Sequence, residues 1–159
     1  MDKRKLVALI CEKLRADHAL LIEAAKATHE AATHEESKPE NEYDTRGLEN
    51  SYLAGAQAKR AGEIEEVLLM YKYLEIKSFT EKDAIAPSAL IETEFQGRNS
   101  LMFLAPLGGG TNVTLDGKPV QVITPASPLG GALLGMHAGD VASIEAGGKI
   151  KEYEILNVW

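Results

Sequence analysis

Neither proline nor glycine occurs between Asp2 and Thr33, and that absence constrains the fold more than any other feature. Apolar residues recur through the stretch at helical spacing: Leu6, Ile10, Leu14, Leu21, Ala25 and Ala32. Val7, Leu14 and Leu21 are also a heptad apart, as in a coiled coil. A helix of about 33 residues would be roughly 50 Å long. Its apolar residues change along its length, from Leu, Ile and Val to Ala24, Ala25, Ala27, Ala31 and Ala32. Pro39 then interrupts the pattern, because it lacks an amide proton and biases Lys38 away from helical geometry. From Thr45 to Ile76 a second helical pattern returns, with Asp44 or Thr45 placed to cap it. Leu53, Val67 and Leu74 share one heptad phase, interrupted by Arg60, while Ile64 and Tyr71 share the next. Gly55 and Gly62, seven apart, predict close backbone approach to the small-residue face of the first arm. Together these patterns predict two antiparallel helices of matched length.

The turn between the arms carries most of the charge imbalance. Glu30, Glu35, Glu36, Glu40, Glu42 and Asp44 face a single base, Lys38, in a chain of net charge -7. Crowded like charges repel and cost stability. They persist more easily where something uses them, such as a divalent cation held by oxygen ligands. The plain alternative is a solvated acidic loop. An acidic chain is a poor direct ligand for nucleic-acid phosphates, and suits a basic protein surface or a metal.

Other signals bound the function. Cys11 is the only cysteine, so no internal disulfide can form and a reducing compartment is expected. The charged start, Met1 to Lys5, precedes an apolar run too short for a signal core. No run approaches the roughly 20 apolar residues of a membrane span. A cytoplasmic location, without membrane contact, is expected. His29 and His34 are five apart, not the four that puts two zinc ligands on one helix face. His18 falls among the seam residues and reads as packed or flanking.

Lys77 to Pro87 has no sustained period and reads as a linker, which divides the chain into 1–76, 77–87 and 88–159. Beyond it, short strand candidates follow one another: 89–95, 101–105, 111–115, 120–124, 140–145 and 149–158. Asp116-Gly117 and Gly147-Gly148 are hairpin turns. Ser127 and Pro128 open a short helix that Gly135 stops. The expectation is α+β: a long antiparallel helical hairpin, then a small antiparallel sheet with one short helix. Gly108-Gly109-Gly110 and Gly130-Gly131 lack the Lys-Ser/Thr pair of a phosphate loop and read as turns.

Ser127-Pro128-Leu129-Gly130-Gly131-Ala132-Leu133-Leu134-Gly135, then Gly139-Asp140, Gly147-Gly148 and Tyr153-Glu154-Ile155-Leu156, resemble the signature of the bacterial Gre transcript-cleavage factors. The order of hairpin then sheet domain resembles them too. The resemblance implies an FKBP-like C-terminal domain that docks on RNA polymerase, and a coiled coil that enters the secondary channel. The docking role falls on Ser127, Pro128, Leu129, Leu134 and Gly135. Acids at the tip would help hold a catalytic Mg²⁺ of the polymerase, which hydrolyses its own backtracked RNA. Glu36 and Glu40 take the metal role, with Glu42 and Asp44 in support. The factor would be an accessory protein with no cofactor of its own, in indirect contact with the DNA and RNA of the elongation complex. The family's tip pattern, Asp-x-x-Glu-Asn-Ala-Glu/Asp-Tyr, is altered: anchoring on Tyr43 places Glu36 and Pro39 at the two acid positions, whereas anchoring on Glu40-Asn41 requires a gap. A non-cleaving channel-binding modulator, and an adaptor hairpin for another protein, are the alternatives. A prolyl isomerase is disfavoured, because the C-terminal half is poor in the aromatics that would line a proline pocket.

Overall fold

A computed structural model describes residues 1–34 and 38–159. Helix α1 spans Lys3–Thr33 and α2 spans Arg46–Tyr73. Six strands follow: β1 Leu90–Phe95, β2 Arg98–Leu104, β3 Asn112–Leu115, β4 Lys118–Ile123, β5 Val141–Ala146 and β6 Lys149–Val158. Helix α3, Pro128–Leu133, lies between β4 and β5 in the chain. Two compact units result: Glu12–Leu69, and Met1–Cys11 together with Met70–Trp159. No helix of the described residues is long and apolar enough to cross a membrane.

In the unit Glu12–Leu69 the two helices pack through small residues. Ala54 and Ala61, seven apart, are buried. His18 Nε2 lies 2.7 Å from Glu65 Oε1, so this histidine flanks the seam and ties the two helices together. The phase of α2 differs from the expected one. Leu53 is half exposed, and a side chain built at Gly55 or Gly62 would meet nothing within 4 Å. The glycines therefore do not allow the arms to approach; the alanines one residue earlier do. A heptad of small residues has the same period whichever of two adjacent phases faces inward, and the alanine phase wins because it removes apolar surface from water.

The sheet has the order β3-β4-β2-β1-β6-β5. All neighbours are antiparallel except β2 and β4, which run parallel from Leu101 and Val120 to Leu104 and Ile123. This corrects the wholly antiparallel expectation: the 105–111 loop carries β3 to the edge, and β4 returns inside it alongside β2. Both predicted hairpin turns form with two successive positive φ angles, 50° and 80° at Asp116 and Gly117, and 63° and 71° at Gly147 and Gly148. Such a pair matches the twist of the flanking strands and needs residues that tolerate left-handed backbone.

One sheet face carries Ile91, Met102, Leu104, Ile123, Ile155 and Val158, packed with Leu133 of α3. On the opposite face Leu90, Phe103 and Val122 are fully buried, in the same unit as the fully buried Leu6 and Ile10. Lys3 is buried in this unit as well. Its ammonium donates to three carbonyls: Ser88 at 3.0 Å, Trp159 at 2.7 Å, and Lys77. It also sits 4.6 Å from the centre of the Phe79 ring. Three donors meet three acceptors from three separate segments, so the head of α1 closes the sheet unit around one charged group.

Candidate functional site

Two regions hold the residues singled out from the sequence, one in each unit, and each is built differently.

The acidic turn closes on its own backbone. Asn41 Oδ1 accepts from the Tyr43 amide at 2.9 Å, and the Asp44 amide donates to the Asn41 carbonyl at 3.1 Å. Asp44 then turns both carboxylate oxygens to the chain: Oδ1 accepts from the Arg46 amide at 3.2 Å and Oδ2 from the Glu40 amide at 3.3 Å. The Arg46 amide, and after it the Glu40 amide, hold this carboxyl below the usual carboxylate range. Thr45 begins the α2 ladder through its carbonyl, and its hydroxyl donates to Glu49. The sequence left Asp44 and Thr45 as alternative caps; in the structure Asp44 engages the first helical amide, where negative charge also complements the helix dipole. Glu40, Glu42 and Tyr43 are exposed, and Glu36 lies outside the described residues. A cleft of about 320 Å³ sits inside the turn, between Thr33, Pro39, Asp44 and Leu48.

This geometry separates the proposed acids. Asp44 shapes the loop, whereas Glu40 and Glu42 point charge outward from it. Asp44→Ala is therefore expected to speed hydrogen exchange at the Glu40 and Arg46 amides near neutral pH. Because its carboxyl is depressed on folding, its contribution is complete above the unfolded carboxyl pKa. It is lost as pH falls through the lower folded value. Strong acid should thus give wild type the variant's exchange pattern, and amide exchange by NMR across that range measures it.

The second region is α3 and its surroundings. Ser127 Oγ accepts from the Gly130 amide at 3.1 Å and donates to the Thr124 carbonyl at 2.8 Å. Pro128 occupies the first turn, where a missing amide proton costs nothing. Leu129 packs against the sheet core. Gly135, with φ of 83°, ends the helix, and its amide donates to the Ile85 carbonyl. Of the five residues assigned to docking, Ser127 and Leu129 build α3, while Pro128, Leu134 and Gly135 are exposed. Beside the N-terminal end of α3, Pro106, Leu107, Thr124, Ala126 and Ser127 line an open cleft of about 540 Å³. Leu107 is 45% exposed there. The sequence signal for it was an apolar residue set against the Gly108-Gly110 turn, where no core strand could bury it.

Comparison with known proteins adds three findings. Residues 116–159 match the family described as transcription elongation factor, GreA/GreB, C-terminal. The chain is 26% identical over 163 residues to the transcription elongation factor GreA of Methylococcus capsulatus (strain Bath), covering 99% of this chain and 98% of that one. Among solved structures, the GreA factor homolog 1 (Gfh1) protein of Thermus thermophilus is 22% identical, with 96% of this chain and 94% of that chain covered and a TM-score of 0.38. The GreA/GreB factor from Nitrosomonas europaea is 19% identical, with 74% and 94% covered and a TM-score of 0.35.

Proposed function

We propose that the chain is a Gre-like factor that regulates transcription elongation by binding RNA polymerase. In this reading the exposed residues of α3 contribute to docking, and the helical hairpin presents its acidic turn to the secondary channel. There Glu40, with Glu36, shares a Mg²⁺ of the polymerase active site and promotes hydrolysis of backtracked RNA. The chain supplies acids and position; the polymerase supplies the metals and the chemistry. The observation that carries the reading is the family match over residues 116–159, joined to a curated relative similar along nearly the whole chain.

One observation favours a second form of the same reading. With Asp44 engaged by two backbone amides, Glu40 and Glu42 are the exposed acids among the described turn residues. Holding Asp44 on the backbone withdraws one of the two supporting acids, which suits a factor that occupies the channel without activating cleavage.

Stalled, backtracked elongation complexes separate the two. The cleavage form predicts shortening of the RNA on addition of the protein, lost by 10-fold or more in Glu40→Ala, as when a metal ligand or its supporting acid is removed. Glu42→Ala should retain most of the activity. Intact binding with no shortening at saturating protein would leave only the channel-occupying form.

A further inference from the structure

The face of α2 turned away from its buried alanines is built as a second seam. Leu48, Tyr52, Gly55, Lys59, Gly62, Glu66 and Leu69 alternate at spacings of four and three, the period of a helix that packs on another helix. None of them is buried; Leu48, Tyr52 and Leu69 are 56%, 72% and 56% exposed. Exposed glycine inside a helix costs about 1 kcal/mol against alanine. Gly55 and Gly62 bear that cost twice with no neighbour that excludes a side chain. Gly62 lies on an open groove of about 680 Å³, lined by Lys59, Gly62, Glu63, Glu65, Glu66 and Leu69. It is an apolar-edged notch with three carboxylates, shaped for a cationic side chain arriving from another helix.

The charge order on α2 names the occupant. Lys59 and Arg60 precede Glu63, Glu65 and Glu66, so a reversed copy of the same helix brings bases to acids twice. A twofold axis passing between Arg60 and Ala61 makes Tyr52 face Leu69 of the second copy, Gly55 face Glu66, and Lys59 face Gly62. Each pairing recurs by symmetry, as an isologous contact requires. Lys59 then lies over the glycine notch, with its ammonium among Glu63 and Glu66 of the other copy. We propose that this chain self-associates through the outer face of α2, as an antiparallel pair in which Lys59 of each copy fills the Gly62 notch of the other. The contact face from Tyr52 to Leu69 is only about 26 Å long. An interface that small forms a weak, concentration-dependent dimer, with Kd on the order of 10 µM or weaker.

Sedimentation velocity of the full chain over a wide concentration range tests this. Wild type should shift from monomer to dimer, and less so at high salt, because the ion pairs are exposed to screening. Lys59→Glu sets acid against acid, and the double variant Glu63→Lys/Glu66→Lys sets base against base. Each should weaken the dimer about tenfold or more. All three positions are exposed on the helix surface, and circular dichroism checks that the helices persist. An equimolar mixture of the two variants restores every opposite-charge contact, and should dimerise within a few fold of wild type. A wild type that stays monomeric throughout overturns the proposal, and so does a dimer indifferent to both variants or a mixture no stronger than its components.

Discussion

Gly130→Ala is expected to destabilise the sheet unit by about 3 kcal/mol or more, the upper range for forcing atoms into a filled site. A Cβ at Gly130 would stand 2.0 Å from the Thr124 carbonyl oxygen and 2.9 Å from Ser127 Oγ. The first neighbour is backbone and cannot swing aside. The second caps α3 through the amide of Gly130 itself, so the cap is disturbed as well. In a chain of this size about 3 kcal/mol corresponds to a fall in Tm of roughly 10 °C. Gly62→Ala is the internal control. Nothing lies within 4 Å of its added Cβ, and alanine is the better helix former, so stability should rise by up to about 1 kcal/mol. The same substitution at two glycines thus changes sign, and thermal unfolding of both variants by circular dichroism reads it. Equal effects would mean that the packing of α3 against the Thr124 turn has been misassigned.

Lys3→Met carries the second large effect. It leaves the buried Ser88 carbonyl and the part-buried Lys77 carbonyl without this donor, whereas the Trp159 carbonyl keeps the Leu90 amide. Orphaned buried acceptors cost roughly 1 to 3 kcal/mol each, offset in part because the ammonium no longer has to be desolvated. A net loss of about 2 kcal/mol at pH 7 is expected. The pH dependence is more specific. Burial pushes the Lys3 amine down from its ordinary 10.5 to about 8. Between those values the unfolded chain holds the proton that the folded chain has released, so stability rises with pH. This is the reverse of a lysine that gains an acidic partner. Relative to Lys3→Met, wild type should gain up to about 3 kcal/mol between pH 8 and pH 10.5. Urea unfolding of both proteins at pH 7, 8.5 and 10 gives the comparison. A gap that narrows as pH rises would show that the amine is not desolvated in the folded chain.

Local chemistry made much of the sheet unit legible in the sequence. Asp116-Gly117 and Gly147-Gly148 demand left-handed backbone, and the strands on either side follow from them. Ser127 and Pro128 announce α3 because a hydroxyl acceptor and a missing amide proton both suit a helix start. Long-range choices were not legible. The parallel contact of β2 with β4 depends on where the 105–111 loop carries β3, and no residue in the loop encodes that. The phase of α2 was lost for a related reason: Ala54 and Ala61 stand beside Gly55 and Gly62, and small residues at one period give two adjacent answers. Lys3 carried no signal. In Lys3-Arg4-Lys5 it reads as solvated charge, and only the chain end at Trp159, together with Lys77 and Ser88, supplies its acceptors. At the acidic turn Asp44 was legible as one of two caps, but its second hydrogen bond, to the Glu40 amide, was not, since the folded loop alone brings that amide to it.

Equilibrium binding of the fluorescently labelled full chain to bacterial core RNA polymerase probes the proposed partner whether or not the turn supports cleavage. Saturable binding is expected, and Glu40→Ala should leave it within a few fold. Leu134→Glu, which places a charge at the exposed residue that caps α3 (44% exposed), should weaken it by tenfold or more, as when a charge is set into a docking face. Absence of saturable binding by the folded wild-type chain would contradict the assignment to polymerase, whatever the turn's acids do.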